Sequence, residues 1–152
     1  MIQAKFRCLE VTETYKGEIS VKLAPVIPKN DTYPGGSEEN RKFWEASPSG
    51  ECLLYFQTKA ACFVEVGSYY LIDMIPDEKG EWKLWELGYM GETTLSVHFD
   101  RGMWSTPFPR GTLKIGIHNK KAWPAFEGMA GTKWNIFFSE SDVQNPGCPY
   151  TG

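Results

Sequence analysis

Apolar side chains recur at every second position in eight separate stretches of the 152-residue chain. Successive side chains of an extended strand point to opposite faces, so this period of two is typical of strands with one buried face. The stretches are residues 3–12, 18–24, 52–58, 68–74, 81–87, 93–100, 111–117 and 132–139. The sequence therefore predicts an all-β fold, either a single compact β-barrel or a two-layer β-sandwich, with about eight mostly antiparallel strands. In the fifth stretch, strict alternation predicts that Trp82, Leu84 and Glu86 share one face.

One or two short helices are expected between these strands. Residues 37–44 begin with Ser37, whose hydroxyl is a suitable helix cap, and end with Phe43 and Trp44. We expect those two aromatic side chains to plug one end of a barrel. Residues 59–63 are a second candidate for a single helical turn, whereas residues 25–36 and 118–121 read as loops.

A weak internal repeat relates residues 48–73 to residues 109–137. It aligns Gly50 with Gly111, and Gly67 with Gly131, each before a strand. One interpretation is that any two hairpins with small turns look alike, and the other is a pseudo-twofold barrel or sandwich made of two similar halves. The segment between them, residues 77–91, contains Trp82, Trp85 and Tyr89 and is unlike a flexible linker, so we predict one domain over residues 1–152.

Several motifs in the first half resemble a family of small, uncharacterised proteins encoded by tailed bacteriophages. The resemblance covers residues 5–73: a Lys5-Phe6 start, the segment Ser37–Asn40 (Ser-Glu-Glu-Asn), Phe43-Trp44, and the strand Gly67–Asp73 (Gly-Ser-Tyr-Tyr-Leu-Ile-Asp). Members of the family usually stop soon after that strand, whereas this chain continues for about as long again. The resemblance implies a phage protein with a compact β module and implies no activity.

The sequence also predicts where the protein acts. No run approaches the ~18 apolar residues of a membrane-spanning helix, and residues 1–7 lack the apolar core of a signal peptide. We therefore expect a protein of the host cytoplasm or the virion that is not secreted. The cysteines at 8, 52, 62 and 148 lack the close spacing of a zinc or redox pair, which favours free thiols over disulfides.

Signals for catalysis are weak. His98 and Asp100 fall on one face of a predicted strand, a spacing compatible with a base and its orienting carboxylate, but a solvated strand face is the better explanation of the pair. The sequence contains neither a phosphate-binding glycine loop nor a nucleophile elbow. We predict no enzymatic activity, no catalytic residue, no cofactor and no metal site.

The remaining chemical signal is a locally basic, aromatic stretch in a protein of net charge −3. Residues 101–133 hold six Lys and Arg against one acid. Aromatic residues make up 14% of the chain; most are expected in the core, and the remainder anchor protein interfaces or stack on bases. The candidate binding residues are Trp104, Arg110, Lys114, His118, Lys120, Lys121, Trp123 and Lys133.

Two functions follow as expectations. The first is a non-enzymatic interaction module that acts by protein–protein contact, as a virion or assembly component or as an inhibitor of a host factor. The alternative is an OB-like binder of single-stranded nucleic acid or of a nucleotide ligand, including sequestration of a host defence signal. The alternative rests on the basic, aromatic stretch.

Overall fold

Eight strands of a closed barrel make up most of the computed structural model, which describes residues 2–45, 47–102 and 109–141. The strands are β1 (Ile2–Glu13), β2 (Ile19–Pro25), β3 (Gly50–Phe56), β4 (Tyr69–Pro76), β5 (Trp82–Met90), β6 (Thr94–Arg101), β7 (Arg110–Ile117) and β8 (Lys133–Ser141). Around the barrel their order is β1-β2-β3-β7-β6-β5-β8-β4, and neighbouring strands are antiparallel. The predicted all-β fold is confirmed, and the barrel is the architecture found.

Three short 3₁₀ helices connect the strands: η1 (Glu39–Lys42), η2 (Lys59–Ala61) and η3 (Lys120–Ala125). The first two lie inside the segments predicted to be helical. The third begins in the run expected to be a polar loop, because the Asn119 side chain accepts the N–H of Lys121 at 3.1 Å and starts a turn there. No helix in the described part of the chain has the length and apolarity needed to cross a membrane.

Side chains from all eight strands fill the inside of the barrel. Stacked and edge-on rings form its centre: Trp134 lies 5.8 Å from Phe126 and 5.1 Å from Phe99, measured between ring centroids. Each such ring removes about 150–250 Å² from water, so these rings are large contributors to the buried apolar surface. The surfaces considered below for function therefore lie outside the barrel and at its ends.

The two halves of the chain repeat one arrangement. Strands run in the order β4-β1-β2-β3 in one half and β8-β5-β6-β7 in the other. The Gly67 N–H donates to the Cys8 carbonyl at 2.9 Å, and the Gly131 N–H donates to the Leu84 carbonyl at 2.7 Å. Both glycines have positive φ, 87° and 86°. The halves join where β3 pairs with β7 and β4 with β8, which gives the barrel a pseudo-twofold arrangement.

A β-bulge in β5 breaks the predicted alternation. Opposite β6, the register shifts between Leu84 and Glu86, and Trp85 is the additional residue. Glu86 then lies opposite His98 on the outer face instead of sharing the inner face with Trp82. The prediction for Glu86 was wrong because a bulge adds one residue to a strand without changing the residue pattern. The matching bulge in β1 lies between Cys8 and Glu10.

The segment around η1 closes one end of the barrel. Asn40 is fully buried; its Oδ1 accepts the Lys5 N–H at 2.7 Å, and its Nδ2 donates to the carbonyls of Lys5 and Val26 at 2.8 and 2.9 Å. The Asn40 N–H donates to the Ser37 hydroxyl at 3.3 Å, although the N-cap residue itself is Glu38. These bonds hold the segment in place, and Phe43 and Trp44 that follow are buried (1% and 0% exposed), as a plug requires.

Candidate functional site

The structure gathers half of the predicted binding residues at one end of the barrel. His118 directly follows β7, and Lys120, Lys121 and Trp123 belong to η3. All four lie within six residues of chain at the barrel end that η1 also closes, because the His118 N–H donates to the Phe43 carbonyl at 3.1 Å. The short helix thus brings the cationic and aromatic groups together.

The other predicted residues lie elsewhere. Arg110 begins β7, eight residue steps before His118, and the rise of an extended strand separates the two by roughly 25 Å. Its guanidinium is 3.5 Å from a Glu18 carboxylate oxygen and 5.0 Å from the Tyr55 ring centre. Lys114 lies mid-strand between His98 and Glu51, and Lys133 lies opposite Lys83 on β5, while Trp104 lies outside the described residues. The seven candidates that the structure describes do not form one continuous site.

Around η3, aromatic and cationic side chains contact one another. The ring centroids of Trp123 and Tyr89 are 5.5 Å apart, and the Lys120 Nζ is 5.7 Å from the Trp123 ring. The indole Nε1 of Trp123 donates to the Ile117 carbonyl at 2.9 Å, which fixes the ring. The Tyr89 hydroxyl donates to the Glu127 carboxylate, and this hydrogen bond raises the pKa of Tyr89.

Residues 85–90, hereafter the exposed β5 segment, pair with one neighbouring strand, β6, and Tyr89 also contacts Trp123 and Glu127. Within the described residues the β5–β8 ladder consists of Trp82 with Trp134 and Lys83 with Lys133, and Leu84 adds backbone hydrogen bonds to Gly131 and Thr132. Beyond Leu84 the described strand pairings of β5 are with β6 alone. The segment carries three large, exposed apolar side chains: Trp85 (58%), Tyr89 (60%) and Met90 (64%). A strand edge with unpaired backbone and exposed aromatic side chains is suited to binding another chain. Tyr89 and Met90 are not among the predicted binding residues, because alternation alone does not show where a strand loses its neighbour.

The matching part of the first half is polar. Past its own bulge, β1 also pairs with β2 alone, and there it exposes Glu10, Thr12 and Glu13. Charged residues on an edge discourage pairing with another chain. The two halves therefore differ in the strand segment that follows the bulge: its exposed side chains are polar in β1 and apolar in β5.

His98 and Asp100 both point outward from β6, as their spacing predicts. His98 lies opposite Glu86 on one side and Lys114 on the other, and its Nε2 is buried without a hydrogen-bond partner in the described part of the chain. Burial, and then the Lys114 ammonium, lower the pKa of His98, while Asp100 and Glu86 act in the opposite direction. The imidazole is thus neutral at neutral pH and lies on a strand face.

Among the described residues, no group of three or more His, Cys, Asp or Glu side chains could hold a metal ion. Cys8 and Cys52 are buried and Cys62 is half-buried, and all three are free thiols, as predicted; Cys148 lies outside the described residues. Burial raises the pKa values of Cys8 and Cys52, so neither is an activated thiolate.

The described part of the chain contains several cavities large enough for a side chain or small ligand, and two of them are lined mainly by apolar residues. One, of about 440 Å³, includes Trp82, Arg101 and Pro109, and the chain between the last two runs through residues 103–108, which are outside the described ranges. The other, of about 380 Å³, lies between η1 and η3 and is called here the η1–η3 cleft. It is lined by Ile2, Lys42, Phe43, Asn119, Lys121, Ala122, Ala125 and Phe126.

Comparisons with known proteins returned nothing: no protein-family model, no curated protein and no solved structure matches this chain.

Proposed function

We propose that this protein is a non-enzymatic interaction module, encoded by a bacteriophage, that acts by protein–protein contact. Its setting is either the virion, as a structural or assembly component, or the host cytoplasm, as an inhibitor of a host factor. The phage origin rests on the resemblance of residues 5–73. The mode of action rests on the exposed β5 segment.

The observation that carries the proposal is the combination of side chains and backbone in that segment. Trp85, Tyr89 and Met90 are too exposed to contribute to the core, and aromatic side chains of this kind are the usual anchors of protein interfaces. From Glu86 to Met90 the described strand pairings of β5 are with β6 alone, so the opposite edge of the segment offers backbone groups to an added strand. The counterpart edge of β1 carries charged residues instead, which argues that the apolar side chains are not a general property of the fold.

A cross-linking experiment tests this proposal. A photoreactive phenylalanine at position 85 in phage-infected cells is expected to capture a defined protein, and the same group at Tyr15 is not. Tyr15 is the matched control because it is 94% exposed and lies in the turn between β1 and β2. Trp85→Ser combined with Tyr89→Ser should abolish capture from a second photoreactive position, Met90, with the circular dichroism spectrum unchanged. Equal capture at positions 15 and 85 would contradict the proposal.

The non-enzymatic part has its own test. If His98 and Asp100 are outer-face residues of β6 with no catalytic role, the double variant His98→Ala, Asp100→Ala should retain the full biological effect of the protein. Phage yield in a strain that depends on the protein measures this. Loss of the effect from either single change, with the fold retained by circular dichroism, would show that the pair takes part in chemistry.

A second candidate function is an OB-like binder of single-stranded nucleic acid or of a nucleotide, including sequestration of a host defence signal. It is supported by His118, Lys120, Lys121 and Trp123 lying side by side, since a cation beside an aromatic ring suits a phosphate and a stacked base. Affinity should then fall steeply with added salt, because neutralised phosphates release counterions. Lys120→Glu combined with Lys121→Glu should weaken it further. Undetectable binding of single strands and nucleotides at low salt would exclude this candidate.

A further inference from the structure

The η1–η3 cleft is built from both halves of the chain. The Phe43 carbonyl accepts the N–H groups of His118 and Asn119, both at 3.1 Å, and this joins the segment after η1 to the start of η3. The Asn119 side chain in turn accepts the Lys121 N–H at 3.1 Å. Both walls of the cleft are thus fixed by hydrogen bonds before any ligand arrives, which lowers the entropic cost of binding.

The floor of the cleft is apolar and its rim is cationic. Phe43 and Phe126 are 1% and 0% exposed, and Ala122 and Ala125 leave room above them. Lys42 and Lys121 are exposed. The remaining described lining residues are uncharged, so no carboxylate lines the cleft.

The acidic side chains of the segments around η1 and η3 do not line the cleft. Glu38 pairs with Arg41 at 3.2 Å, and Glu39 accepts the Ser37 hydroxyl at 2.9 Å. Glu127, which follows η3, accepts the Tyr89 hydroxyl. Lys42 and Lys121 are therefore the charged groups among the described residues that line the cleft, and two ammonium groups beside an apolar cavity are complementary to an apolar group flanked by negative charges.

We propose that the η1–η3 cleft binds an acidic peptide segment of the partner protein. One apolar side chain of the peptide occupies the cavity, and carboxylates on either side of it pair with Lys42 and Lys121. The cavity volume of about 380 Å³ is sufficient for one large side chain and is at the small end of ligand pockets. This inference rests on the proposed function, since it names the chemistry of a protein partner.

A nucleic acid fits this cleft less well. Stacking needs the open face of an aromatic ring, and both phenylalanines of the cleft are buried. A strand of phosphates also needs a row of cations, whereas the described lining residues provide only two. A peptide with one apolar side chain and flanking carboxylates can instead fill the cavity and pair with both lysines.

Binding of a defined peptide tests the inference. The probe is a fluorescein-labelled hexapeptide, Asp-Glu-Phe-Leu-Asp-Glu, with two controls: a peptide with Lys at the acidic positions and a peptide with Ser at the two apolar positions. We expect the acidic, apolar peptide to bind and both controls to fail. A short thymidine oligonucleotide that binds more tightly than the peptide would overturn the inference in favour of nucleic acid.

Two sets of variants locate the site. Lys42→Glu combined with Lys121→Glu should lower the affinity for the peptide roughly tenfold, because two favourable rim charges become repulsive. Ala125→Trp, at an exposed position, should weaken it comparably by filling the cavity. The control, Lys22→Glu combined with Lys59→Glu, changes the net charge equally at exposed positions outside the cleft and should have no effect. Unchanged binding by both cleft variants, or equal loss in the control, would overturn the inference.

The outcome is separable from that of the proposed function. If cross-linking from position 85 captures a partner while the peptide does not bind, the proposed function stands and the cleft assignment fails. If the peptide binds in the cleft but no protein is captured from position 85, the cleft assignment stands and the role of the exposed β5 segment fails.

Discussion

The indole of Trp44 connects the long loop between β2 and β3 to the second half of the barrel. It is completely buried, and its Nε1 donates to the Gly116 carbonyl on β7 at 2.6 Å. Its ring centroid lies 5.2 Å from that of Phe43. A single side chain therefore closes one end of the barrel and joins residues that are 72 positions apart in the chain.

Replacing Trp44 with Ala should lower the free energy of unfolding by about 3–5 kcal/mol, because a large cavity forms and the Gly116 carbonyl loses its donor. Urea denaturation monitored by circular dichroism measures the change. Trp85→Ala is the matched control: the same ring is removed from a position that is 58% exposed, so the change should stay within about 0.5 kcal/mol. Similar losses in the two variants would contradict the plug.

The lowered pKa of His98 makes stability depend on pH. Burial and Lys114 hold its folded-state pKa below the value of 6.5 expected for the unfolded chain. Between these two pKa values the unfolded chain binds more protons, so stability falls as the pH drops through 6.5 and stops falling below the folded pKa. Relative to wild type, His98→Gln should therefore lose less stability between pH 7 and pH 5.

Two NMR titrations check the cause of this effect. The imidazole of His98 should titrate below 6.5 in the wild type, and Lys114→Met should raise its pKa by removing the neighbouring ammonium. A His98 pKa at or above 6.5 in the folded protein would contradict the expected pH dependence.

At the scale of strands and helices, glycines mark where two strands approach most closely. A Cβ added to Gly111 on β7 would lie 2.2 Å from the Leu53 carbonyl oxygen of β3, and one added to its counterpart Gly50 would lie 2.6 Å from the Lys114 carbonyl oxygen. Backbone atoms at such distances have to move. The two glycines therefore permit the β3–β7 ladder that joins the halves.

Gly111→Ala should destabilise the protein by at least ~2 kcal/mol, because the new methyl group forces the β3 and β7 backbones apart. Gly88→Ala on β5 is the control, since no atom lies within 4 Å of the added Cβ. That change should be neutral or stabilising by a few tenths of a kcal/mol. Thermal denaturation of both variants distinguishes the two cases, and equal melting temperatures would show that β3 and β7 can separate without cost.

Local sequence patterns were sufficient to predict the strands and helices, and they were insufficient to predict the contacts between these elements. Period-two alternation identified eight strands with small errors at their ends. It did not reveal the bulge at Trp85, because an inserted residue is defined by the neighbouring strand. It also did not associate Lys42 with Lys121, since these residues meet only after η1 and η3 are brought to the same barrel end. Neighbours in the chain such as Lys120 and Trp123 do lie together, whereas Arg110 and Lys133 lie far from them, because extended strands separate residues rapidly.

On the scale of the whole molecule, neither half can close a barrel alone. The first half presents two strands, β3 and β4, whose outer edges are covered only by β7 and β8 of the second half. Cys52 pairs with Leu113 and Asp73 with Phe137, and these are the positions at which each strand meets its own counterpart across the pseudo-twofold axis. A second copy of the first half could therefore replace the second half with the same strand register.

We expect a fragment of residues 1–80 to fold only as a homodimer, because a monomer would leave two strand edges and half of the core exposed. Sedimentation and circular dichroism should show a concentration-dependent change from unfolded monomer to β-rich dimer. In that dimer Asp73 would lie opposite Asp73 of the second copy, and like charges directly opposite each other on a sheet are destabilising. The Asp73→Phe fragment, which has the side chain found at the matching position Phe137, should therefore dimerise more tightly than the unmodified fragment. A folded monomer, or equal dimerisation of the two fragments, would show that the halves are not equivalent in how they pair.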